Sequence, residues 1–462
     1  MLIVHCNDNF QPEREYIFDC IFHDFWQVDY EVKYEKRTDI EIEFADKRLY
    51  VADTFLQMRE DAWLTLATLP QQPLTHLVVP EEYDACVTNR DLPVIYGGSE
   101  PKLFAPDDRH CTLDIFGSAL FMLTRYEEVV KKERDALDRF PAAASLAYQE
   151  GFLERPIINE YLEILWHWLK KHFPDMKRKE RHFSIMPTHD VDFPMFGVCV
   201  DWYHRFRMLA GDILKRRDFS LAKEHLGYIA NAVSGNYAAD PHNTFEMIMD
   251  ISEEYNLTSH FYFMTAQGRD DKDGNYDIMH PEVRKLACRM MERGHKIGIH
   301  PGFGSKDTAE LIKNDTDRLR RMIAAEKIPV DSFGGRQHYL HWSAPHTWQY
   351  YEQAGIIYDT TLSYADHIGF RCGICYDYPV YNVVTHERYN LREIPLEVME
   401  CSGLAEQYMN LNYEEMLYRC KRLKEKTEKY KGIFVILWHN TSFMKAEDIE
   451  LYKGILKDKV SV

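Results

Sequence analysis

The chain has 462 residues, 45% hydrophobic and 28% charged, with a formal net charge of −18. That length predicts two domains, and the balance excludes a disordered chain. The negative charge argues against a nucleic-acid or anionic-membrane partner, because phosphates need a basic surface. No apolar run is long enough for a transmembrane helix. The opening "MLIVHCNDNF" has no secretory pattern, and the ten cysteines are scattered, so a reduced, cytoplasmic protein is expected.

Residues 1–178 read as a smaller α/β domain with no assignable chemistry. "TDIEIEFADKRLYVAD" alternates Ile40, Ile42 and Phe44, turns at "ADK" and resumes with Leu49 and Val51, which predicts a hairpin. "THLVVP" and "DLPVIYGG" read as short buried strands. "DIFGSALFMLTRYEEVVKKERD" reads as a helix capped by Asp114, and "RPIINEYLEILWHWLKKHF" as a second helix with Lys170 and Lys171 at its end.

Residues 179–462 alternate strand and helix. "HFSIMPTHD", "SHFYFMT", "HKIGIHP", "DSFGGRQHY", "IIYDTTLS", "LREIPLEVM" and "GIFVILWHN" read as strands. "LAKEHLGYIANAV", "FEMIMDISEEYN", "PEVRKLACRMMERG", "AELIKNDTDRLRRMIAAEK", "APHTWQYYEQAG" and "EEMLYRCKRLKEKTEKYK" read as helices. Such alternation implies a parallel sheet with helices outside, and the length favours a closed or partly closed (β/α) barrel.

Ionisable residues follow these strands: Asp190 and Asp192, His300, Arg336 and His338, and His439. The C-terminal strand ends of parallel folds converge on one face, where reactive groups gather. Two aspartates at i and i+2 of an extended chain point the same way, so one can ligate a metal and the other act as a base. Histidine and carboxylate ligands suit zinc and its first-row neighbours. An arginine can hold the base ionised, and a histidine across the site can protonate a leaving amine. The set suits metal-assisted hydrolysis of an amide or ester.

These motifs resemble the polysaccharide deacetylase family, whose fold is a distorted (β/α)7-type barrel. "THDVD" is similar to the family's first motif, which implies Asp190 as catalytic base and Asp192 as metal ligand. "GHKIGIH" resembles the second motif and implies His300 as a ligand. "GGRQHY" resembles the third and implies that Arg336 contacts Asp190. "ILWHN" resembles the last and implies His439 as general acid, with Ile436 where the family has a leucine lining the acetate pocket. The resemblance begins near Lys179; the first half reads as an added N-terminal domain.

The departures are specific. The second motif places a further histidine where this chain has Gly304, and the third has proline where this chain has His338. We read the paired loss and gain as one change, with His338 completing a metal shell of Asp192 and His300. The alternative for His338 is a hydrogen bond to a substrate hydroxyl or to backbone. The aspartate-tryptophan fourth motif has no clear counterpart, which leaves Asp359, Glu397 and Glu400 as candidates to orient His439. "PGFGS" lacks the lysine of a phosphate cradle and suggests that backbone at Gly302 comes close to substrate, with Ser305 or Asp307 capping the next helix. Tyr339 and Trp438 are candidates for stacking on a sugar ring, with core packing as the alternative. His189 reads as a packing residue, and "CGIC" as a simple loop. The expected activity is removal of an acetyl group from an N-acetylated or O-acetylated sugar or glycan by a divalent metal, zinc first. Two rivals are hydrolysis of another non-peptide C–N bond and a barrel without catalysis that binds a glycan or protein partner.

Overall fold

The computed structural model describes residues 1–98, 102–330 and 332–457. Strand β1 (Leu2–Cys6) buries Leu2, Val4 and Cys6 on one face. It pairs in parallel with β2 (Tyr30–Tyr34) and antiparallel with β3 (Asp39–Phe44). The expected hairpin joins β3 to β4 (Lys47–Ala52). Its turn residues Ala45 and Asp46 both have positive φ, 46° and 62°, as a tight hairpin turn requires. β5 (Thr75–Val78) and β6 (Asp91–Val94) form a separate antiparallel pair, and β7 (His110–Cys111) extends the first sheet to the order β2-β1-β3-β4-β7. Asp114 caps the helix Ile115–Leu123 by accepting the Gly117 N–H at 2.7 Å. The single helix expected here is two, because Arg125 adopts φ 54° before Tyr126–Val130.

The second half is built on β8 (Ser184–Val191), β9 (His260–Met264), β10 (Lys296–His300), β11 (Tyr358–Asp359), β12 (Tyr378–Asn382), β13 (Glu387–Glu393), β14 (Val398–Met399) and β15 (Ile433–Leu437). Five of them form a sheet in the order β10-β9-β8-β15-β14, every pair parallel. Beyond β10, parallel bridges run from Ile299 to Gly335 and from Gly335 to Asp359. The run from β13 to β14 pairs first with β11 and then, at Val398 and Met399, with β15. The strand expected in "DSFGGRQHY" is reduced to the bridge at Gly335, and its first residue, Asp331, lies outside the described residues. Close approach explains the glycines there: a Cβ at Gly334 would stand 2.1 Å from the Tyr358 ring.

The two halves share one core. A continuous cluster of buried hydrophobic side chains includes Tyr16 and Phe25 from the first half and Tyr376 and Tyr381 from the second. A buried polar joint crosses the same boundary. Glu128 accepts from Arg371 at 2.9 and 2.5 Å, and Arg125 donates to the Arg371 carbonyl at 2.6 Å. All three side chains are buried, so each charge depends on its partners. Among the described residues no helix is long and apolar enough to cross a membrane.

Candidate active site and metal centre

The period of two along β8 sorts its side chains. Thr188 and Asp190 face one way, Asp192 follows in phase just beyond the strand, and His189 and Val191 face the other. His189 stacks on Phe261, and its Nδ1 lies 2.7 Å from the Trp438 carbonyl. Burial pushes its pKa down to about 3, so it packs as a neutral ring. The same alternation corrects Ile436. Leu437 pairs with Thr188 and packs with Val435 and Met186 in the small inner cluster, whereas Ile436 lies with Phe434 and Trp438 in the main core. A shift of one residue changes the face, so Ile436 does not look onto Asp190 and Leu437 does.

Asp192, His300 and His338 come together, with one ligand atom from each lying within 4.8 Å of the others. His300 ends β10, and its Nδ1 is 2.7 Å from the Arg336 carbonyl. A carbonyl only accepts, so Nδ1 carries the proton and Nε2 presents a lone pair. Nε2 faces Asp192 Oδ1 at 3.1 Å, and both atoms are buried without a hydrogen-bond partner. Two things satisfy such a pair: a second proton on the ring, or a cation between the atoms. His338 Nε2, 3.6 Å from Asp192 Oδ2, adds the donor that suits the cation. Zinc bonds of about 2.0–2.2 Å place ligand atoms roughly 3–3.5 Å apart.

The sequence reading does not include Asp273. It lies in the loop after β9, and its Oδ1 is 3.1 Å from His338 Nδ1, leaving Nε2 toward Asp192. Carboxylates behind ligating histidines fix the tautomer and the ring. The loop is pressed on the site, since a Cβ at Gly274 would stand 2.2 Å from the Asp192 carbonyl. Burial opposes charge on His338, but Asp192 and Asp273 raise its pKa to about 9. Burial would likewise raise Asp192, yet His338 and His300 hold it well below the usual carboxylate range.

Asp190 is the second carboxylate. Its Oδ1 accepts from Arg336 Nη1 at 3.1 Å, and its Oδ2 lies 3.7 Å from His300 Nε2. Arg336 is itself held by Thr188 Oγ1 at 2.7 Å and by the Thr360 carbonyl at 2.9 Å. His439 lies across the site, its Nε2 3.7 Å from Asp192 Oδ2. Its Nδ1 is 2.5 Å from Glu400 Oε1, which also accepts from Ser442 Oγ at 2.9 Å. Burial disfavours the imidazolium, but Glu400 holds the His439 pKa well above its usual value. Of the three carboxylates considered for this role, Glu400 stands beside His439. Asp359 is taken by Thr361, and Glu397 by the Val435 N–H at 2.7 Å.

The expected substrate contacts are placed differently. Tyr339 is 40% exposed beside His338, and its carbonyl accepts from Arg139 of the first half at 3.1 Å. Trp438 is fully buried against Phe443 and Tyr452, so it offers no face to a sugar. Gly302 is buried, and its N–H is donated to Asp315 at 3.1 Å, so it offers no donor to a substrate. Its lack of a side chain serves packing, because a Cβ would meet Ala266, Arg269 and Asp273 at 2.5–2.7 Å. Gly304 is exposed with open space around it. Thr308, not Ser305 or Asp307, precedes the next helix; Ser305 Oγ donates to the Gly302 carbonyl.

A model describing a family of unknown function, DUF7033, matches residues 2–174. No curated protein matches the chain at a significant level. Among solved structures, a Mycobacterium smegmatis protein assigned as a polysaccharide deacetylase is similar with 14% identity and a TM-score of 0.38. That match covers 60% of this chain and 84% of that one. Bacillus anthracis BA3943, described as a CE4 family pseudoenzyme, is similar with 9% identity and a TM-score of 0.29, covering 60% of this chain and 59% of that one. Puue allantoinase is similar with 12% identity and a TM-score of 0.36, covering 60% and 82%. Likeness at this level carries no functional weight.

Proposed function

We propose that the chain is a metal-dependent hydrolase that removes an acetyl group from an N-acetylated or O-acetylated sugar or glycan. The observation that carries this reading is convergence. A two-histidine, one-aspartate ligand set, an arginine-held carboxylate and a glutamate-backed histidine meet at one place. A barrel that only bound glycans would have no use for all three. The pairings from β13 through β14 to β15 support a distorted (β/α) barrel around them. The family match to residues 2–174 supports a division of the chain near residue 178.

Asp192, His300 and His338 would hold a divalent ion, zinc or a first-row neighbour. Bound there, it would polarise the substrate carbonyl and acidify water. Asp190 takes the proton of the attacking water, and Arg336 orients that carboxylate through its hydrogen bond to Oδ1. His439 carries a proton on Nε2 toward the site and gives it to the departing amine or alcohol. In this reading His338 replaces the histidine that Gly304 leaves out.

Acetate release from N-acetylated and O-acetylated oligosaccharides, using chelated and zinc-reloaded protein, tests the reading. Reloaded protein is expected to release acetate and chelated protein is not. Asp190→Asn is expected to lower the rate by about 10²–10⁴-fold. Fully loaded protein that releases none from any acetylated sugar would overturn the deacetylase reading.

A further inference from the structure

The segment between β8 and the helix Phe245–Glu254 carries a feature that the proposed reaction does not use. The α-helix Trp202–Gly211 continues as a π-helix, Asp212–Arg216, and Phe219–Ser234 returns as a second α-helix. This hairpin exposes Trp202, Phe206, Leu214, Phe219, Leu226 and Val233, with Phe206 72% and Leu214 77% exposed. Phe219, Leu226 and Val233 recur every seven residues and so share one helical face.

The local charge opposes that of the molecule. Over the hairpin, residues 202–234, there are six Lys or Arg against three Asp or Glu, in a chain of net charge −18. Arg216 pairs with Asp212. Arg207, Lys215 and Arg217 are exposed and have no carboxylate partner among the described residues. The hairpin is also rooted at the site. Asn440, next to His439, donates its side-chain amide to the Phe193 carbonyl at 3.0 Å and the His242 carbonyl at 2.8 Å, one on each side of the hairpin.

We propose that this hairpin is an interfacial membrane element that lays its exposed Trp, Phe and Leu side chains on an anionic bilayer. Exposed Trp, Phe and Leu beside Arg and Lys are what such an interface takes: rings and aliphatic chains enter the headgroup boundary, and cations meet lipid phosphates. Net charge points away from this partner. With screening over about 8 Å, the local charge decides. A second copy fits less well, because a two-fold contact would bring the two basic faces together. Single-stranded nucleic acid has no use for Leu214, Leu226 and Val233, which offer bases nothing to stack on. The proposal does not rest on the hydrolase reading.

Sedimentation of the full chain with large vesicles tests it, using phosphatidylcholine alone or with about one-third phosphatidylglycerol. We expect binding to the anionic vesicles on the order of tenfold stronger than to neutral ones, weakening as NaCl rises. The exposed double substitution Phe206→Glu with Leu214→Glu is expected to abolish it. Joint replacement of Arg207, Lys215 and Arg217 by Gln is expected to lower it by about tenfold or more. Circular dichroism matching wild type shows that each variant is folded. No binding to either vesicle, equal binding to both, or variants that bind like wild type would overturn the proposal. So would a concentration-dependent dimer that the double substitution dissolves while vesicle binding is absent, which assigns the face to self-association.

Discussion

His439 and Glu400 show how a buried partner fixes the place of a proton. The Glu400 carboxylate 2.5 Å from Nδ1 raises the imidazole against its burial. A general acid must be protonated, so activity is expected to fall as pH rises through the raised His439 pKa. Glu400→Gln removes the charge and lowers that pKa, and the alkaline limb of the rate profile is expected to move to lower pH. A limb that stays in place would separate Glu400 from His439. Sequence narrows this partner to three carboxylates but cannot choose among them. Glu397 and Glu400 lie on one short stretch, and only the fold shows that Glu397 is spent on the Val435 N–H. Asp273 is less legible still. It sits in the acidic loop "RDDKDGNYD", where nothing in the pattern separates the aspartate that meets His338 from its neighbours.

At the scale of elements, hydrophobic patterning locates β8, β9, β10 and β15, each a short run largely buried on both faces. It fails after Phe333, where the chain joins the sheet only at Gly335 and the approach of Tyr358 replaces a regular ladder. The motif resemblance, not periodicity, implies Ile436 for the pocket, and the register of β15 gives that face to Leu437. The loop after β10 makes a sharp pair of expectations. Gly302→Ala forces a Cβ onto Ala266, Arg269 and Asp273, and is expected to cost about 1–3 kcal/mol in urea unfolding and to loosen the support of His338. Gly304→Ala meets open space and is expected to stay within about 0.5 kcal/mol of wild type. Equal effects of the two would contradict the packing described.

At the scale of the molecule, buried hydrophobic side chains from both halves belong to one continuous cluster. Periodicity reports which face of an element is buried, not what covers it. The Arg125–Glu128–Arg371 joint is invisible to such patterns because Arg371 lies over 240 residues from the other two. Arg371→Met leaves Glu128 buried without one of its cations and is expected to destabilise by about 3–5 kcal/mol. Unfolding in urea is expected to remain a single transition for both forms; two separate transitions would mean the halves fold independently. The central claim concerns the metal shell. Elemental analysis of zinc-incubated, desalted wild type beside His338→Ala tests it most directly. The account predicts one zinc per wild-type chain, and loss of it in the variant. Wild type that retains no divalent ion, or a variant that retains it equally, would contradict the assignment of Asp192, His300 and His338 as a metal site.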